Sequence, residues 1–142
     1  MKEILDDYVQ MIRDFEQKLM AKYQLRINPW RKAGVLFDKI GFINEYSYYY
    51  HGSGCTLKKD NILCEYDVTL LTRNEIKFSL WKFFQFVNSH PIHKKKCYDM
   101  EYVSKELSLL VEKKFLSLEE IGGKKTGIYQ LSDDAEITQS NS

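Results

Sequence analysis

The apolar positions at the start of the chain recur at helical spacing. Ile4, Tyr8, Met11, Phe15 and Leu19 form one stripe, and Leu5, Ile12 and Tyr23 widen it to a full face. The pattern predicts a long amphipathic helix over Lys2–Tyr23. The segment "INPWRKAG" ends it, because Pro29 disfavours a helical conformation at Asn28 and Gly34 suits a turn. From Gly41 the period shortens. In "FINEYSYYY", Phe42, Asn44, Tyr46, Tyr48 and Tyr50 alternate with Ile43, Glu45, Ser47 and Tyr49, which predicts a strand.

The stretch "GCTLKKDNILCEYDV" predicts two more strands, with two registers open. A loop at Lys59 and Asp60 sets Leu57 against Ile62 and Cys55 against Cys64; a turn at Asp60 and Asn61 instead sets Cys55 against Tyr66. In the first register both cysteines share a face with Tyr66, Val68 and Leu70, while Leu63, Glu65, Asp67 and Thr69 point the other way.

Further on, "FSLWKFFQFVNS" predicts a second helix. Ser79 is its N-cap, Leu80, Phe83, Phe84 and Val87 face inward, Trp81 anchors the packing, and Pro91 closes the element. A third helix opens near Asp99 and carries Tyr102, Val103, Leu107, Leu110, Val111 and Phe115 at helical spacing. "EEIGGKKTGIYQL" then reads as a hairpin with a Gly-Gly turn. The fold class is α+β: a long N-terminal helix, an antiparallel sheet of about three strands, two further helices and a C-terminal β-hairpin. One domain over residues 1–132 and a polar, acidic tail over 133–142 follow.

Composition narrows the class of protein. A chain of 142 residues, 44% apolar and 14% aromatic, can bury a core without staples. With 21 Lys and Arg against 20 Asp and Glu, no global charge draws it to nucleic acid or an acidic membrane. No apolar run approaches the roughly 20 residues of a membrane span, and "MKEILDDYVQ" lacks the pattern of a signal peptide. Three cysteines, Cys55, Cys64 and Cys97, suit a reducing compartment. A soluble, cytoplasmic protein without a membrane partner is expected.

The stretch most suggestive of chemistry is "YSYYYHGSGCTL", residues 46–57. Gly52 and Gly54 permit a sharp bend, making His51, Gly52, Gly54 and Cys55 a structural corner. Zinc bound by His51, Cys55, Cys64 and Cys97 is a sharper reading, but the paired short spacings of zinc motifs are missing. A thiol nucleophile at Cys55 activated by His51 is another, without a recognisable orienting carboxylate or oxyanion hole. Glu65 and Asp67 alternate along an outward strand face, the usual arrangement of a solvated surface. No cofactor, metal or catalytic residue is therefore assigned, and the chain is expected not to be an enzyme.

The segment from Tyr48 to Phe84, with "YYYHGSGC", the acidic-aromatic strand "CEYDV" and the helix "LWKFFQF", resembles a bacterial domain family of unknown function. That family shares aromatic-His-Gly-x-Gly-Cys followed by an acid-rich strand and an aromatic helix. Its members look like small cytosolic immunity proteins, which bind and block a cognate toxin domain. The chain departs from the pattern after "CEYDV", where "TLLTRNEIKFS" replaces a Gly-rich turn. The last quarter, "ELSLLVEKKFLSLEEIGGKKTGIYQLSD", also resembles the end of a winged helix, with Lys124 and Lys125 at the wing tip. The expectation is a protein-binding module with a cognate protein toxin as partner and Glu65, Asp67, Tyr46 and Tyr48 as contact residues. A metal- or thiol-dependent enzyme at His51 and Cys55, or a winged-helix-like nucleic-acid binder, is the alternative.

Overall fold

The computed structural model describes residues 1–23, 40–43, 45–51, 54–67, 76–90 and 97–132. The first helix forms as expected, α1 (Lys2–Tyr23), and buries Ile4, Leu5, Tyr8, Met11, Ile12 and Phe15. The side chains of Leu19 and Tyr23 lie outside the described residues.

Four antiparallel strands follow in chain order: β1 (Ile40–Ile43), β2 (Tyr46–His51), β3 (Gly54–Lys59) and β4 (Ile62–Asp67). The single strand expected over "FINEYSYYY" is thus two, with Ile43 paired to Tyr46 and Ile40 to Tyr49. A two-residue loop inverts the odd-even alternation, setting Ile43 on the face of Tyr46 and Phe42 on that of Ser47, but β1 has only four residues and is too short to show the change of phase. The β3–β4 register is the one with Asp60 and Asn61 as the turn: Lys59 pairs with Ile62, Leu57 with Cys64 and Cys55 with Tyr66. Asp60 takes φ 56°, a left-handed conformation that Asp tolerates in tight turns.

A second sheet was legible only as its hairpin. β5 (Lys77–Ser79), α2 (Leu80–Ser89), α3 (Met100–Glu112), β6 (Leu116–Ile121) and β7 (Lys124–Leu131) follow, and β7 lies between β5 and β6 in a three-stranded antiparallel sheet. The hairpin turn places Gly122 at φ 61° and Gly123 at φ 79°, the paired positive values that glycine adopts freely. The expected cap Ser79 is present, and Asp99, near which the third helix was expected to open, caps it. Ser79 Oγ accepts from the Lys82 N–H at 3.3 Å, and Asp99 Oδ1 from the Tyr102 N–H at 2.8 Å. At the far end of α3 the Phe115 N–H donates to Leu110 and the Lys114 N–H to Val111, each at 3.0 Å, with Lys114 at φ 67°.

The core lies where α1, α2 and the two sheets meet. Tyr8 places its ring 5.1 Å from Phe78, 5.7 Å from Phe83 and 5.0 Å from Phe86, while Phe15 sits 5.9 Å from Tyr46 and 5.7 Å from Tyr48. Along β4 the edge away from β3 is occupied by two hydroxyls. Ser89 Oγ accepts the Leu63 N–H at 3.0 Å, and Tyr8 donates to the Glu65 carbonyl at 2.7 Å. An edge strand so engaged offers little to a foreign strand.

Candidate protein-binding surface

The tyrosines of β2 separate by strand parity. Tyr46 and Tyr48 face α1 and are buried, at 1% and 4% exposure, so neither is a contact residue as first expected. The covered face of the sheet is theirs, because it is the face that Cys55, Leu57, Cys64 and Tyr66 continue. Tyr49, on the opposite face, is exposed.

Two buried tyrosines are tied to α1 through carboxylates on either side of Phe15. Tyr46 donates its hydroxyl proton to Asp14, and Tyr66 donates to Glu16. Lys18 bonds Glu45 at 2.6 Å and lies 4.9 Å from the centre of the Tyr46 ring. Of the expected acidic contacts, Glu65 is half-buried and accepts the Thr56 hydroxyl at 2.7 Å. The side chain of Asp67 lies outside the described residues.

His51 pairs with Gly54 and Cys55 with Tyr50 across β2 and β3. Gly52 and the side chain of His51 lie outside the described residues. Cys55 has no exposed surface, and burial pushes its thiol up to about 12. Burial likewise holds the Cys64 thiol well above its ordinary value. Neither sulfur is a thiolate at neutral pH, the form that attacks or binds metal. Among the described residues, no three His, Cys, Asp or Glu side chains come together as a metal-binding group.

A groove of about 360 Å³ opens between α1, the β3–β4 turn and the end of α2. Met11, Tyr46, Ile62 and Phe86 line it along with polar groups, among them Asp7 and His90, whose Oδ2 and Nε2 lie 2.7 Å apart. The Asp7–His90 contact joins α1 to the end of α2 across it.

The exposed aromatic surface lies on α2 and α3 instead. Trp81 was expected to anchor the packing, yet it is 54% exposed; only Phe83, Phe86 and Val87 of α2 are buried. The helical spacing explains this: Trp81 falls on the side of α2 away from Phe83 and Phe86. Its ring stacks on Phe84 at 5.6 Å. One turn on, Asn88 grips the chain that enters α3, donating to the Tyr98 carbonyl at 3.1 Å and accepting the Tyr98 N–H at 2.8 Å. Tyr98 then stacks on Tyr102 at 4.6 Å, and Tyr102, also expected inside, is 41% exposed. Leu109, two turns further along α3, is exposed as well.

The order β5, α2, α3, hairpin, with β5 paired to β7, is the strand–helix–helix–hairpin order of a winged helix. Lys124 and Lys125 stand exposed beside the hairpin turn. The exposed side of α3, however, carries Glu101 and Glu112 against Lys105, the wrong balance for phosphate.

Fold and surface together define a mixed α+β protein with two antiparallel sheets and exposed aromatic side chains on α2 and α3; among the described residues no helix is long and apolar enough to cross a membrane. The family model described as Domain of unknown function (DUF6896) matches residues 1–131, and the chain belongs to that family. No curated protein and no solved structure is significantly similar to it.

Proposed function

We propose that the chain is a protein-binding module that acts as a bacterial immunity protein, occluding the active site of a cognate toxin domain. The observation that supports this reading is the exposure of Trp81, stacked on Phe84 and continued by the Tyr98–Tyr102 pair. A tryptophan more than half exposed gives up burial energy that a core position would use, and rigid aromatics at a surface are the residues that most often dominate protein–protein affinity. Contact therefore shifts from Tyr46 and Tyr48, which are core, to the α2–α3 ridge.

Co-expression of the tagged chain with the product of the adjacent gene, followed by purification and calorimetry, tests the reading. A stoichiometric complex is expected, weakened roughly 30-fold by Trp81→Ala. A toxin that is neutralised just as well by the Trp81→Ala protein would rule out the ridge. Absence of any complex would remove the immunity reading itself.

A further inference from the structure

The groove between α1, the β3–β4 turn and the end of α2 has an apolar floor. Met11, Tyr46 and Phe86 are buried there, and Ile62 is half-buried. Most of its polar groups are engaged. Asp7 meets His90 at 2.7 Å, and Asp14 accepts the Tyr46 hydroxyl and lies 3.4 Å from Lys18. Lys59, the ammonium in this wall, is held by Glu45 at 3.6 Å. Two groups from different elements are left over. The Asp60 carboxylate, on the turn, and the Gln10 amide, on α1, both line the groove, and neither has a hydrogen-bonding or ionic partner among the described residues.

We propose that this groove binds a short organic cation, an ammonium or guanidinium group on an aliphatic stem. Its volume of about 360 Å³ is that of a small-ligand site, in which an apolar wall takes the body of the ligand and a few polar groups fix its orientation. The stem covers Met11 and Ile62, the positive charge meets Asp60, and the Gln10 amide oxygen accepts a further N–H. A two-residue turn with Asp60 at φ 56° holds that carboxylate in place. An anion in the same position would face Asp7, Asp14 and Asp60 together. The cation is either a free amine or guanidine or the Lys or Arg side chain of a partner protein, since both present the same chemistry. Trp81 is not part of the groove, so the inference stands separately from the toxin-binding reading.

Titration of the isotope-labelled full chain with n-butylguanidinium chloride near neutral pH, followed by amide chemical shifts, tests this. Saturable shifts at Gln10, Asp60 and Ile62 are expected, with Kd on the order of 1 mM for so small a ligand. Asp60→Asn removes the charge and keeps a residue that tolerates the left-handed turn, and should weaken binding about tenfold. Gln10→Ala, at an exposed helix position, should weaken it about threefold. Butyrate, a similar stem with the opposite charge, should give no saturable shift. A capped Gly-Arg-Gly peptide separates the two sources: binding as tight as that of the free guanidinium assigns the groove to a partner's side chain, and exclusion of the peptide assigns it to a free small molecule. Wild-type shifts that stay linear to about 50 mM overturn the proposal, as does binding that butyrate matches or that both substitutions leave unchanged. Should Asp60→Asn fail to fold, Gln10→Ala and the butyrate control decide.

Discussion

Glu16 of α1 accepts the hydroxyl of Tyr66 on β4 at the lip of the core. Burial raises its carboxyl from 4.5 to about 7, against the opposing pull of the Tyr66 hydroxyl and the Arg13 charge. The raised value means that the folded chain keeps a proton the unfolded chain has released. Stability from this group is fully present below about pH 4.5 and is lost as pH rises through 7. Glu16→Gln keeps an acceptor for Tyr66 without the charge. It should remove the pH slope between about 5 and 7.5 and raise stability at pH 8 by roughly 2 kcal/mol. Urea midpoints measured across that range check it; equal slopes in both proteins would sink the assignment.

The hydroxyls along β4 have a double role, satisfying buried backbone groups and closing an edge. Ser89→Ala strips the Leu63 N–H of its acceptor and should cost about 1–3 kcal/mol, and Tyr8→Phe about 1–2 kcal/mol at the Glu65 carbonyl. Combined, they should also speed aggregation on heating, because the edge is then open. Light scattering at matched fractions unfolded separates this from simple destabilisation.

Two neighbouring aromatics of α2 should behave oppositely. Phe83 has no exposed surface and touches Tyr8 and Phe78, so Phe83→Ala should cost about 3–5 kcal/mol. Trp81→Ala should cost less than about 1 kcal/mol. Denaturant unfolding of both variants decides it, and comparable losses would place Trp81 in the core after all.

Alkylation reads the cysteines directly. Cys97 is exposed, while Cys55 and Cys64 are buried. Iodoacetamide under native conditions should modify Cys97 alone, with the other thiols reacting only on unfolding. Rapid labelling of Cys55, read by peptide mass spectrometry, would revive the nucleophile.

Long-period signals were the easiest to read in the sequence. The α1 stripe, the caps Ser79 and Asp99, and the Gly-Gly hairpin all follow from local chemistry that tertiary packing leaves alone. β5 is only three residues long, too short to show a period, and its pairing with β7 joins residues far apart in sequence. The break between β1 and β2 was hidden because β1 has only four residues, too few to show the inverted alternation that a two-residue hairpin loop brings. The choice of sheet face was hidden too: in β2 both faces carry tyrosine, and only the docking of Phe15 and the register with Cys55 and Leu57 decide that Tyr46 and Tyr48 go inside. Trp81 shows the converse: it is large and apolar, yet its angle on α2 relative to Phe83 and Phe86 points it outward.

Tyr8 is made well before the groups its side chain meets across the core: the Glu65 carbonyl, then Phe78, Phe83 and Phe86. During synthesis α1 therefore leaves the ribosome with its apolar face uncovered and keeps it so until α2 has emerged. An amphipathic helix left waiting in this way is a natural client for a nascent-chain chaperone. Completion of α2, rather than of α1, is the moment at which the N-terminal half can first take its native form.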